Sequence, residues 1–413
     1  MQIDGYSLDA QKTKMKAFFI IFLYFLFDRE TYYILHSDTL SLIYVSLSKF
    51  FAVFVILMAL IKQFNKNTLK VMGCICLVFF SMLISTVIKD GDVRRAIMIM
   101  YPVLAMGGLM LWQCSTFNRT KLFVRYIACF YFVLMAINFF FLLVSPSFFV
   151  NDSMSGESYF LGIENQVGYP MMKGLCFVLI DSYFRGEKRL LCVYIIMHVS
   201  TILIIFSGSN VVGLVCMLLF LIPNVIQRKI ASLSLNTLLL VFVSLFVFVI
   251  LFGNLMIILE SPLVSYVIED LLGKNLTLTN RTLIWGMVVD GFLNSPIIGN
   301  GVRETTSLFY ISEQYTKGYM SAHNQILQSL YETGILFFVS LVPLFNELNK
   351  SLKSSVPFFS LIVKGSIFSF LVMYMAEAPG MDKILNLVVF GLLVSKMNNT
   401  VTCKGNMYVR CEK

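Results

Sequence analysis

Charge is scarce in this sequence. Asp, Glu, Lys and Arg make up 13% of the residues and hydrophobic types 58%, with a mean hydropathy of +0.81. A soluble globular fold has no use for so much apolar surface, so most of the chain is solvated by lipid. The strict alternation that marks a membrane β-barrel is missing, because the apolar runs are continuous. The opening "MQIDGYSLDAQKTKMKAFF" lacks a small-residue cleavage site, so the first apolar run is expected to stay as a helix. There are nine cysteines, but they lie almost entirely inside apolar runs (Cys74, Cys76, Cys114, Cys129, Cys176, Cys192, Cys216) or in the tail (Cys403, Cys411). That distribution offers no disulfide framework and no metal-ligand spacing with histidine, so reduced, lipid-buried thiols are expected. No internal repeat relates two halves of the chain, which argues against a twelve-span transporter or a flippase.

What is present is a series of apolar segments, each of roughly the 17–25 residues needed to cross a bilayer as a helix. The expected fold class is an all-α polytopic membrane protein, a single integral membrane domain over residues 1–413 with about twelve transmembrane helices. The spans fall near 15–36, 40–62, 70–88, 95–114, 121–145, 165–184, 189–207, 209–225, 236–259, 324–346, 356–377 and 383–398. Ser207–Asn210 must then form a very tight turn. Bases cluster in alternate connections: Lys12, Lys14 and Lys16; Lys62, Lys66 and Lys70; Arg119, Lys121 and Arg125; Arg185, Lys188 and Arg189; and the tail. Most acids occupy the opposite loops, among them Asp28, Glu30, Asp152, Glu157, Glu164, Glu269, Asp270, Glu304 and Glu313. The positive-inside rule places both termini in the cytoplasm. This bias accounts for the net charge of +9 without a nucleic-acid partner.

One connection is long. Residues 260–322 form an extracytoplasmic loop between the ninth and tenth spans, with two helix-like stretches. "SPLVSYVIEDLLG" is amphipathic enough to lie along the interface. "RTLIWGMVVDGFLNSP" opens at Arg281, with Thr279 or Asn280 as cap and Trp285 at headgroup depth. Arg281 and Arg303 flank the Gly-containing turn "NSPIIGNGVRE", which leads back towards His323. Two guanidiniums and one imidazole can converge at the outer mouth. Arginine's planar fork suits a diphosphate without a metal, and an imidazole, whose ordinary pKa lies near neutrality, can accept the proton of an attacking hydroxyl. The bland alternatives are common: outer-loop arginines usually solvate or bind headgroups, and an isolated Gly299–Gly301 pair is usually only a turn.

The stretch after His323 is more informative. At about 100° per residue, Asn324, Gln325, Gln328, Ser329 and Glu332 share an arc of roughly 140°. Amides and a carboxylate facing lipid are expensive, so this stripe faces a cavity or another helix. Lys173 and Lys364, lone lysines inside spans, are candidates to face the same interior, as snorkelling or paired side chains otherwise. His36 is expected at an outer helix end, and His198 bonded to a neighbouring helix. "DRE" at 28–30 and "DGD" at 90–92 are acidic pairs of the kind a metal-dependent glycosyltransferase uses, although short acidic pairs are common in loops.

Together, "RTLIWGMVVDGFLNSPIIGNGV…AHNQILQSLYETGILFF" resembles the signature of the O-antigen polymerase and O-antigen ligase superfamily. The shared elements are Arg281 and Trp285, then Pro296 with Gly299 and Gly301 as a structural turn, then His323 and Asn324 with Gly334 ten residues after the Asn. The resemblance implies a metal-independent glycosyltransferase of the C-type fold, without a cofactor. It would act on a glycan carried by undecaprenyl diphosphate among membrane lipids, with a chain-length regulator and a flippase as candidate partners. In that scheme Arg281 holds the diphosphate and His323 serves the acceptor hydroxyl. Asn324, Gln328 and Glu332 face the substrate. Asn210 stands where family members often carry an Arg, so the second cation would come from Arg303, Arg94, Arg95 or Lys173. "AHNQILQSLYETG" is more similar to polymerases of O-antigen and capsule clusters than to ligases that transfer polymer to lipid A–core.

Overall fold

A computed structural model describes residues 3–28, 38–62, 66–114, 116–144, 158–221, 233–253, 281–303 and 321–395. Five helices come first: α1 (Ile3–Asp28), α2 (Asp38–Lys62), α3 (Lys66–Ile88), α4 (Val93–Gln113) and α5 (Phe117–Val144). A hairpin of two short strands, β1 (Ser158–Tyr159) and β2 (Gly162–Ile163), then departs from the expected all-α chain. Gly162, with φ 141°, supplies the backbone angle that closes it. The remaining helices are α6 (Gly168–Arg185), α7 (Arg189–Ile205), α8 (Gly208–Leu221), α9 (Leu235–Gly253), α10 (Arg281–Leu293), α11 (Gln325–Lys353), α12 (Pro357–Tyr374) and α13 (Asp382–Ser395).

The apolar runs form helices because a chain in lipid must satisfy its own backbone groups. Among the described residues, six stretches are long and apolar enough to cross a membrane: Thr39–Lys62, Leu69–Ile88, Val93–Gln113, Phe117–Val144, Gln325–Lys353 and Pro357–Tyr374. The protein is therefore a multi-pass, predominantly helical membrane protein. α7, with 17 residues, is shorter than the span expected there, and α8 is described over Gly208–Leu221. They meet through Phe206 and Ser207, with Phe206 in the left-handed region at φ 48°. The large apolar side chains on their outer faces, such as Ile196, Leu203 and Leu219, are exposed, as are Phe50, Phe140 and Leu240 elsewhere. In a lipid solvent this exposure carries no penalty.

The interior is not uniformly apolar. Asp28, at the end of α1, accepts from Lys173 Nζ of α6 at 2.7 Å and from Tyr131 OH of α5, and Tyr131 in turn meets Tyr24 OH at 3.1 Å. Asp28 and Lys173 are both 1% exposed, and pairing is what makes two buried charges tolerable. Lys364 donates to Leu233 O at 2.8 Å. The expectation for His198 is corrected: its ring lies edge-on to Tyr194 and neither ring nitrogen has a hydrogen-bond partner. An imidazole in an apolar slot between helices is simply a core side chain.

The indole of α10, expected at headgroup depth, is buried within the protein. Trp285 is 4% exposed and packs with Ile284, Val288, Ala322 and Leu327, while its Nε1 donates to Ala322 O at 3.1 Å. A buried indole needs a partner for its N–H, and the carbonyl beside His323 provides one. The amphipathic stretch 261–273, the caps Thr279 and Asn280, Glu30 and His36 lie outside the described residues.

Candidate functional site

α11 starts where the sequence has an Asn. Asn324 Oδ1 accepts from the backbone N–H groups of Ile326 and Leu327, both at 3.1 Å, and its Nδ2 donates to Met375 O at 3.2 Å. The residue is thus an N-cap that also ties α11 to the turn after α12. Downstream, the polar stripe is buried and internally bonded. Gln325 Nε2 donates to Ser329 Oγ at 3.1 Å, Gln328 Nε2 to Glu332 Oε1 at 2.6 Å, and the N–H of Ala322 to Gln328 Oε1 at 2.8 Å.

Nine residues into α11 the helix breaks. Gly334 has φ 64° and ψ −165°, a conformation open to glycine alone among ordinary residues. The break frees backbone groups on both sides, and the turn after α10 bonds four of them. Asn300 and Gly301 N–H donate to the carbonyls of Tyr331 and Glu332, each at 2.8 Å. The N–H groups of Ile335 and Leu336 donate to Pro296 O and Ile297 O, at 2.9 and 3.0 Å. Ser85 Oγ of α3 joins them, donating to Glu332 O at 2.9 Å and bonding Ile298 O. A Cβ on Gly299 would lie 2.5 Å from Thr333 N, and one on Gly334 would overlap the Ile297 carbonyl. The three turn glycines of the motif, Gly299 (φ 67°), Gly301 (φ 78°) and Gly334, therefore form one interlocked joint. These bonds pair the backbone groups of Tyr331, Glu332, Ile335 and Leu336 within the protein, as a break in an apolar helix requires.

The joint walls a cavity of about 450 Å3. α11 contributes Gln325, Gln328, Ser329, Glu332 and Thr333; α4 contributes Arg95, Ile99 and Pro102; the segment 378–383 closes the other side. Arg95 sits in the first turn of α4, held there because Asp92 Oδ1 caps the helix by accepting from Arg95 N at 2.9 Å. Lys383 sits in the first turn of α13, its Nζ 3.8 Å from Asp382 Oδ2 and 3.4 Å from Asp28 O. The cavity thus holds two cations, Arg95 and Lys383, with Glu332 and Asp382 among amides and backbone. Its volume lies within the range of small-ligand sites.

His323 stands at the start of this wall, between Ser321 and Gln325, which both line the cavity. Its side chain is 40% exposed, its backbone is left-handed at φ 44°, and its Nδ1 lies 3.9 Å from Glu377 Oε2.

Of the residues singled out by sequence, the structure brings Arg95, Gln328 and Glu332 to one cavity, with Asn324 as the cap beside them and His323 at its edge. Three expected cations are elsewhere. Lys173 is bound to Asp28 in the core and does not line the cavity. Arg303 is exposed, donating to Asn300 O at 3.2 Å and to Lys89 O at 3.4 Å. Arg94 is exposed and also absent from the lining. Arg281 opens α10, and its side chain lies outside the described part of the structure. "DGD" is a joint rather than a ligand pair: Asp92 caps α4, and its N–H donates to Val302 O at 2.7 Å.

Sequence reading missed Lys383, Asp382 and Glu377, and also Gln166, which lines the same cavity. For Lys383 a signal existed: it is a base in a connection on the acid-rich side, against the charge bias of the other loops. Glu377 carried none beyond being an acid between two apolar runs.

No curated protein matches the chain. Residues 191–342, the stretch that carries Arg281, the glycine joint and His323, match the family model described as O-antigen ligase, so over that part the chain is similar to the O-antigen polymerase and ligase superfamily.

Proposed function

We propose that the chain polymerises undecaprenyl-diphosphate-linked oligosaccharide repeats at the outer face of the bacterial inner membrane. The observation that carries this reading is the cavity beside His323, where Arg95 and Lys383 meet a wall of amides and Glu332. An acceptor sugar hydroxyl attacks the anomeric carbon of the donor. A new C–O bond forms there while the bond to the diphosphate oxygen breaks, and the leaving lipid diphosphate takes the electron pair. His323 accepts the hydroxyl proton. Arg281, Arg95 and Lys383 offset the charge that develops on the diphosphate, which is the kind of electrostatic stabilisation that needs no metal. Gln328 and Glu332 hold sugar hydroxyls. The remainder of the reading is a twelve-span topology with both termini cytoplasmic, a C-type fold, and a chain-length regulator and a flippase as working partners.

Ligation of finished polymer to lipid A–core is the second reading, favoured by the description of the matching family model. Deleting the gene and running surface polysaccharide on a gel separates the two. A single repeat on core identifies a lost polymerase, and polymer stranded on the lipid carrier identifies a lost ligase. An unchanged ladder overturns both.

A further inference from the structure

The carboxylate that faces the histidine comes from a part of the chain with no place in the motif. Glu377 lies in the short turn between α12 and α13, 6% exposed, while the His323 side chain beside it is 40% exposed. The turn is stitched to the start of α11 by three hydrogen bonds. Gln325 N–H donates to Glu377 O at 3.1 Å, Asn324 Nδ2 to Met375 O at 3.2 Å, and Gly380 N–H to Gln325 Oε1 at 2.7 Å. Glu377 is therefore fixed through its own carbonyl to the residue two positions beyond His323. Its Oε2 lies 3.9 Å from Nδ1, a separation that shortens to a hydrogen bond with a small movement on substrate binding. The histidine meanwhile holds a left-handed backbone, φ 44°, that non-glycine residues adopt only when their surroundings impose it. His323 N–H donates to Ser321 Oγ at 3.3 Å, and the preceding carbonyl is engaged by Trp285. A strained backbone and a buried carboxylate on one edge of the ring define which nitrogen remains available.

We infer that Glu377 is a positioning residue for His323, orienting its ring through Nδ1 so that Nε2 is presented to the acceptor hydroxyl. This rests on the function proposed above, in which His323 takes the acceptor proton. A carboxylate at Nδ1 fixes the proton on that nitrogen, leaving the lone pair on Nε2, and it stabilises the imidazolium formed when the acceptor proton arrives. Protons balance throughout: one moves from the hydroxyl to Nε2, and none is transferred to Glu377. Charged groups that line the neighbouring cavity are Arg95 of α4, Glu332 of α11, and Asp382 and Lys383 of α13; among the described residues, Glu377 is the carboxylate that lies 3.9 Å from the ring's Nδ1.

The test is steady-state kinetics of the full-length protein in detergent or liposomes, with lipid-diphosphate-linked repeat units extracted from a strain lacking the gene. Glu377→Gln is expected to lower kcat at least roughly tenfold, with the KM for the lipid-linked donor within about twofold and the melting temperature unchanged. Glu377→Asp, which keeps the charge, is expected to recover part of kcat. Wild-type kcat in Glu377→Gln overturns the inference, as does a loss that follows a lowered melting temperature and is not recovered by Asp. His323→Ala, measured alongside, separates the two levels. If it retains wild-type kcat, the proposed function fails. If it is inactive while Glu377→Gln is fully active, the positioning role alone fails.

Discussion

At the scale of single residues, the site depends on a few polar groups that the lipid environment makes costly to leave unpaired. His323→Ala is expected to leave the protein inserted and folded while abolishing polymer lengthening, read as loss of the long ladder on a polysaccharide gel. A ladder of normal lengths from that variant sinks the assignment. Arg281→Lys keeps the charge but loses the bidentate fork, so turnover is expected to fall even so; wild-type turnover there removes the diphosphate role. The buried pair of Asp28 and Lys173 belongs to stability, 2.7 Å apart and 1% exposed each. Lys173→Met strands the Asp28 carboxylate and is expected to cost about 3–5 kcal/mol, measurable as an earlier melt in detergent. These residues also show what one dimension can and cannot carry. Helical phase alone placed Gln328 and Glu332 on a buried stripe, because neighbours along a helix are fixed by its period. It could not reveal that Lys173 spends its charge on Asp28, 145 residues earlier in the chain. For the same reason Glu377 was invisible as the partner of His323.

At the scale of elements, the departure from regular helix in α11 explains the spacing of three glycines and a proline. Gly334→Ala must either leave the φ 64° conformation or overlap the Ile297 carbonyl. The backbone strain alone costs about 1–3 kcal/mol. The expected result is a protein whose joint opens, seen as faster hydrogen exchange at the amides of Asn300, Gly301, Ile335 and Leu336, with activity lost alongside. Exchange as slow as in the wild type refutes the joint. The motif's glycines were legible as a turn, but their receptor was not. A single Gly within an apolar run reads as ordinary helix until the loop that fills its break is known. The same holds for Trp285, whose amphipathic character suggested a headgroup and whose partner proved to be Ala322 O.

At the scale of the molecule, the repeated apolar runs announced a multi-pass helical protein, since no other architecture absorbs so much hydrophobic length. The folded arrangement adds that cations of the cavity come from the first turns of two helices far apart in sequence, α4 and α13. Side chains there approach a ligand from the end of the bundle that carries the α3–α4 and α12–α13 turns. On the topology proposed above, that end is extracytoplasmic. A cysteine placed at Lys89 is then expected to react with a membrane-impermeant thiol reagent in intact spheroplasts, whereas one at Lys353 is not; the reverse pattern inverts the topology. Activity in the presence of excess chelator is expected to match that without it, because Arg281, Arg95 and Lys383 supply the positive charge; loss of turnover on chelation removes the metal-free mechanism.

The joint at Gly334 also imposes an order on biosynthesis. Residues 296–301 emerge from the ribosome before the segment whose broken backbone they must fill. Until α11 has been inserted, the N–H groups of Asn300 and Gly301 and the carbonyls of Pro296 and Ile297 lack the partners that α11 gives them. The cavity is therefore among the last parts of the protein to exist, and a chain halted before Gln325 carries most of its membrane helices but none of the wall on which His323 depends.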